Sequence, residues 1–135
     1  MSELASEAAQ RVILAALDGV ISCPVYDEPP QDATFPYVTI GDAIETKRNT
    51  FGKTGRDVLA SIDVWSRSGP DASQDGYGEA LGIGSAIDVI LDGYDPGSIF
   101  GWVFVSCDFE QQIPMRDPDG VTRHVHMEYR LRVER

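Results

Sequence analysis

The sequence predicts an α+β domain: a four-stranded antiparallel sheet made of two hairpins, with two helices packed on one face. Three observations lead there. Two runs carry apolar residues at steps of three and four, one at the N-terminus and one in the middle of the chain. Four shorter stretches alternate with period two and arrive in pairs. Within each pair the connection shows no helical pattern, which a parallel crossover would need.

The first run covers residues 3–20, where Ala5, Ala8, Ala9, Val12, Ile13, Ala16, Leu17 and Val20 form one stripe. Ser2 or Ser6 is placed to cap it, and Gly19 and Pro24 to end it. Residues 26–34, with Pro29 and Pro30, read as an irregular loop. A short strand is expected over 35–40 and a second over 58–65, where Val58, Ala60, Ile62 and Val64 face one side and Ser61 and Asp63 the other. Between them, residues 46–57 are polar, basic and glycine-punctuated, a long hairpin connection or a mobile arm. After a turn at 67–71, Tyr77, Ala80, Leu81, Gly84, Ile87, Ile90 and Leu91 mark a helix that ends before Gly93. Its Gly76, Gly78, Gly82 and Gly84 imply a frayed start or close packing on a neighbour. A third strand is expected over 102–109, with Val103, Val105, Cys107 and Phe109 on one face and Trp102 and Phe104 on the other. The turn Asp117-Pro118-Asp119-Gly120 leads into the last strand. There Val121, Val125, Met127, Tyr129, Leu131 and Val133 share a face interrupted by Arg123, while His124, His126, Glu128, Arg130 and Arg132 lie opposite.

With 135 residues, 42% hydrophobic and 24% charged, the chain reads as a single domain over 1–135 with one core, needing neither disulfide nor metal to fold. Cys23 and Cys107 are far apart in apolar stretches and are expected to be reduced core residues. Glu3, Glu7, Arg11 and Asp18 exclude a signal peptide or membrane span from the first twenty residues, so the protein is expected to be soluble and intracellular, with no membrane partner.

Eleven basic against twenty-two acidic residues give a net charge of −11, which argues against a surface that grips nucleic acid throughout. The charges are segregated. Residues 68–115 hold eight acids and no Lys or Arg, whereas Lys47, Arg48, Lys53 and Arg56 crowd one segment and Arg123, Arg130, Arg132 and Arg135 mark the C-terminal stretch. Such a pattern suits either an ordinary soluble acidic chain or a subunit with one acidic and one complementary basic surface.

Few residues offer chemistry. Gly52-Lys53-Thr54 lacks the earlier glycine of a phosphate-binding loop, since Lys47 stands in its place, and no helix pattern follows. His124 and His126 point the same way from one strand, but no nearby Cys or further His completes a metal set, so a solvated face is expected and no metal or cofactor is assigned. Asp71 and Asp75 stand at helical spacing, as twenty-two acids make unavoidable. Phe35, Tyr37, Trp65, Trp102 and Phe104 are expected to pack in the core rather than stack bases.

Several segments in order carry a resemblance: the helix ending Ala16-Leu17, Val25-Tyr26-Asp27 with Pro29, the strand Phe35-Pro36-Tyr37-Val38-Thr39-Ile40-Gly41, Ile62-Asp63-Val64-Trp65-Ser66 with the following helix, and the close Tyr129-Arg130-Leu131-Arg132-Val133. Together they resemble the phage and prophage tail-completion, or tail-terminator, proteins of long non-contractile tails. The resemblance implies a non-enzymatic structural subunit made in the bacterial cytoplasm. It implies a ring, typically of six copies, that ends the tail tube in a virion or phage-like particle and joins it to the head. Its partners would be further copies of itself, the tail tube protein and head–tail connector proteins, with DNA only in transit through the channel. Residues Lys47, Arg48, Phe51, Lys53 and Arg56, in a mobile basic loop over 47–56, are the expected protein-docking site. The alternatives are a small soluble protein- or ligand-binding module, and a metal-dependent enzyme using His124 and His126.

Overall fold

The structure is a computed structural model and describes residues 4–67 and 76–135. Its elements are helix α1 (Ala5–Leu17), strands β1 (Val25–Tyr26), β2 (Tyr37–Lys47) and β3 (Gly55–Arg67), helix α2 (Gly76–Leu91), and strands β4 (Ser98–Ile99), β5 (Trp102–Arg116) and β6 (Thr122–Glu134).

The class is α+β, but the sheet is not the expected four-stranded antiparallel one. It is a six-stranded mixed half-barrel in the order β1-β2-β3-β6-β5-β4. β1 adds a parallel strand beside β2, with Val25 opposite Val38, and β4 adds an antiparallel strand beside β5. Two residues are too few to show periodicity. A parallel pairing that short also needs no helical crossover; the loop that carries Pro29 and Pro30 returns the chain by itself.

Both helices cover the same side of the sheet. Ala5, Ala8, Ala9, Val12, Ile13, Ala16 and Leu17 of α1 and Ala80, Ile83, Ile87 and Leu91 of α2 share one core with Val38 and Ile40, with Val58, Ala60, Ile62 and Val64, and with Val125, Met127, Tyr129, Leu131 and Val133. β3 lies at the centre, antiparallel to β2 and to β6, with Ile62 opposite both Ile40 and Met127. Tyr129 is fully buried and its hydroxyl donates to Asp88 Oδ1 of α2 at 2.7 Å, so burial and that carboxylate push its pKa up. A Cβ on Gly84 would stand 3.4 Å from Met127 Sδ, so this glycine lets α2 lie close on β6. Arg123, the polar interruption of the inward row, reaches over the Tyr77 ring of α2 at 5.6 Å.

Departures from the expected boundaries trace to bulges and turns. α1 stops at Leu17, because Gly19 takes φ +75°; Val20 is exposed and Ile21 enters the core instead. A bulge between Ile40 and Ala43 shifts the alternation, and β2 continues seven residues beyond its expected end, turning Ile44 outward. A second bulge between Phe104 and Ser106 buries Trp102, Phe104 and Cys107 together and leaves Val103 and Val105 exposed, which reverses the expected facing of the first half of β5. A third lies between Phe109 and Gln111, where the Phe109 N–H donates to Asp92 Oδ1 at 3.0 Å. Cys23 and Cys107 are free and buried. Among the described residues no helix is long and apolar enough to cross a membrane.

The cap of α1 is not a serine of the helix start. Ser2 lies outside the described residues and Leu4 holds the cap position without a side-chain bond. Glu45, from β2, accepts from the N–H groups of Ala5 (3.2 Å) and Ser6 (2.9 Å), a carboxylate placed where the helix dipole favours it. It also pairs with Arg56. Burial raises the Glu45 pKa, but these donors outweigh it and the net shift is downward.

Two outcomes are expected. Leu131→Ala, which empties a fully buried position in β6, should lower stability by about 2–5 kcal/mol in urea unfolding. A variant that unfolds like the parent would contradict the inward placement. Glu45→Gln should lower stability by about 1 kcal/mol at pH 7 and much less near pH 3. The folded pKa is below the unfolded one, so the carboxylate's contribution is present above the unfolded value and lost as pH falls through the folded one.

Candidate functional site

The basic segments that are separate in the sequence meet in the structure. β3 and β6 pair with Gly55 opposite Glu134, Arg56 opposite Val133 and Asp57 opposite Arg132, so residues 47–56 and 130–135 form one end of the sheet. The β2–β3 hairpin closes through Arg48 N–H to Gly55 O (2.9 Å) and a reciprocal Thr50–Lys53 pair (3.1 Å each way). Phe51 and Gly52 form its tip, with Gly52 at φ +84°. A Cβ on Gly55 would fall 2.3 Å from the Arg48 carbonyl oxygen, so the hairpin neck accepts no side chain there. Thr54 exchanges two backbone hydrogen bonds with Arg135, tying the hairpin to the end of β6.

The five expected docking residues divide between two faces. Lys47 ends β2, Arg48, Phe51 and Lys53 belong to the exposed turn, and Phe51 is 107% exposed at its tip. Arg56 instead lies inside β3 on the helix side, paired with Glu45 and 5.6 Å over the Trp102 ring, which Arg135 also covers at 4.1 Å. Lys53 Nζ meets Glu134 at 3.0 Å in an exposed pair. On the outer face Asp57 is a buried hub: Arg48 donates to its Oδ2 at 3.1 Å, while Arg130 and Arg132 each stand 3.7 Å away. Arg130 also binds Glu110 on β5.

Farther along the same outer face lies a second cluster. His124 Nε2 and His126 Nδ1 both contact Asp63 Oδ1, at 2.5 and 2.7 Å, and His126 Nε2 lies 3.5 Å from Glu128 Oε2. Burial disfavours the Asp63 carboxylate, but the two imidazole hydrogen bonds outweigh it and lower its pKa. Burial likewise lowers that of His126, and Asp63, helped by Glu128, outweighs it and raises it. The Trp65 ring stacks on His124 at 3.9 Å and 14°, and Trp65 Nε1–H donates to Thr39 Oγ1 at 3.1 Å. Tyr37 and Phe35 continue this aromatic row. Trp102 and Phe104 are core residues, as the sequence suggests, whereas Phe35, Tyr37 and Trp65 are half-buried on the sheet face away from the helices.

Asp57 and Asp63 are the site residues that sequence reasoning missed as partners. Both alternate outward on β3, and the signal for them is the β3–β6 adjacency, which sets Asp57 opposite Arg132 and Asp63 opposite His126. Gly52-Lys53-Thr54 leads into a strand, not into the helix that a phosphate loop requires. Asp71 and Asp75 lie outside the described residues.

Comparison with known proteins fits this architecture. The family model described as tail completion protein gp17 matches residues 4–134. The tail completion protein gp17 of Bacillus phage SPP1 is 28% identical over 127 residues, covering 90% of this chain and 89% of that protein. A chain in the solved virion of a native gene transfer agent particle shares the fold, with a TM-score of 0.67 at 23% identity, over 97% of this chain and 93% of that one. The match over nearly the whole length shows that the chain belongs to the tail completion protein gp17 family, structural proteins of phage-type tails.

Proposed function

We propose that the chain assembles as a ring, of six copies, that terminates the tail tube and joins it to the head, with the β2–β3 hairpin as the arm that docks on an adjoining tail-tube or connector protein. The observation that carries the docking role is Phe51, a large aromatic wholly exposed at the tip of a hydrogen-bonded hairpin and flanked by Lys47, Arg48 and Lys53. Large aromatic side chains, Phe among them, are enriched at protein interfaces, whose rims are polar. The rim charges act mainly on association rate and salt dependence. The chain's −11 charge favours an acid-rich channel wall through which DNA slides, because each phosphate contact by Lys or Arg adds affinity that would slow it.

The role is structural rather than catalytic, in a phage or gene-transfer particle whose parts are made in the bacterial cytoplasm. The potential nucleophiles support this: burial, with Asp108 and Asp92 nearby, pushes the Cys107 thiol up to about 12, and burial raises that of Cys23 too, so neither is a ready thiolate.

On this reading, docking and folding are separated by the choice of substitution. Arg56 and Arg48 hold Glu45 and Asp57, so reversing them disturbs the sheet. The triple variant Lys47→Glu, Phe51→Ser, Lys53→Glu leaves those pairs in place and should keep the parent's circular dichroism and unfolding midpoint, because the exposed Lys53–Glu134 pair contributes at most about 1 kcal/mol. Tail joining in particles should fail; normal joining by the folded variant would remove the docking role. Mass measurement of the purified protein should find a discrete oligomer of six copies, and a monomer both free and on isolated tails would overturn the ring.

A further inference from the structure

We propose that Asp63, His124 and His126 form a binding site for a zinc-class divalent cation that clasps β3 to β6. The proposal rests on side-chain geometry and is independent of the ring. One donor atom from each residue, Asp63 Oδ1, His124 Nε2 and His126 Nδ1, lies within 4.8 Å of the others. Two imidazoles with one carboxylate are donors suited to zinc and its first-row neighbours. The histidines are two apart on β6 and the carboxylate comes from the position opposite His126 on β3, so the donors converge from two adjacent strands.

The distances require little movement. Both ring nitrogens now rest on a single carboxylate oxygen, at 2.5 and 2.7 Å. Tetrahedral zinc, with bonds of about 2.0–2.1 Å, holds its ligands about 3.3 Å apart, so each nitrogen needs to draw back from the Asp63 oxygen by less than about 1 Å, and the two nitrogens already lie within 4.8 Å of one another. Asp63 has room to turn, because residue 41 is glycine and a Cβ there would stand 3.1 Å from Asp63 Oδ2. The ion would sit between the Asp63 oxygen and the two ring nitrogens that now contact it.

The surroundings have the form of an outer shell. His126 Nε2 faces Glu128, so a ring that ligates through Nδ1 keeps its remaining N–H directed at a carboxylate, the partner that metal-bound histidines characteristically have. The Trp65 stack holds the plane of His124, and Thr39 in turn holds Trp65. The side chains of His124 and Asp63 are 14% exposed and that of His126 21%, leaving the fourth coordination position on the open face to water. Asp63 and Glu128 supply two negative charges for a divalent ion.

The test uses the full, untagged chain after dialysis against chelator. Titration with zinc at pH 7.5 should show one equivalent bound, and cobalt should give the intense visible bands of a tetrahedral ion. Excess zinc, at about a hundredfold over its dissociation constant, should raise the unfolding midpoint by about 5–10 °C. Affinity should fall at least about tenfold in His126→Asn and Asp63→Asn, and fall again towards pH 5.5 as protons compete. Imidazole NMR signals of the unaltered protein provide a readout that needs no variant to fold. Zinc-induced shifts at both His124 and His126 support the site. Absence of stoichiometric binding, shifts confined to other residues, or unchanged affinity in folded His126→Asn would overturn it.

Discussion

The Glu45 carboxylate is the contact on which the arrangement of α1, β2 and β3 converges. It closes the open N-terminus of α1, it sits on β2, and it pairs with Arg56 of β3. Arg56 in turn lies over Trp102, the first residue of β5, beside Arg135 from the end of β6. One half-buried acid thus connects a helix to three strands. A carboxylate taken from water is costly unless its oxygens are satisfied, and here two backbone N–H groups and a guanidinium satisfy it. Removing any one partner leaves the others exposed to that cost. The bulge between Ile40 and Ala43 makes the contact possible, because without the extra residue Glu45 would point to the opposite face.

β3 organises charge as well as hydrogen bonds. Its inward row is apolar from Val58 to Val64, while its outward row places Asp57 among Arg48, Arg130 and Arg132, and Asp63 between His124 and His126. Two aspartates six residues apart thus each gather side chains contributed largely by β6, arginines at one and imidazoles at the other. Further acids, Asp88, Asp92, Asp95, Asp108 and Glu110, lie on α2, on the segment after it and on β5. The basic stretches that are separate along the sequence come together in space because β3 and β6 are neighbours.

Much of this fold was legible because long amphipathic patterns are local. The stripe of α1, the alternation of Val58 to Val64 and the row from Val125 to Val133 all follow from residue spacing alone. What was hidden depends on partners distant in sequence. Glu45 gives no sign of being a helix cap forty residues from Ala5, and the alternation rule fails at bulges, which is why the first half of β5 was assigned the wrong face and the end of β2 was missed. β1 and β4 are two residues each and exist only because a neighbouring strand presents open hydrogen-bonding groups. The histidine cluster was half legible: the common direction of His124 and His126 follows from their spacing, but Asp63 joins them only through the β3–β6 register.

The long edge of β5 carries a further consequence. β4 pairs only with Trp102 and Val103, so most of this strand runs along the margin of the sheet. An exposed edge is a template on which identical subunits, crowded together, add strand to strand without limit. Here the margin is broken twice by bulges, and Pro114 offers no N–H to an approaching backbone. Molecules of the chain that meet at high concentration are thereby kept from fusing through their main chains into fibrils.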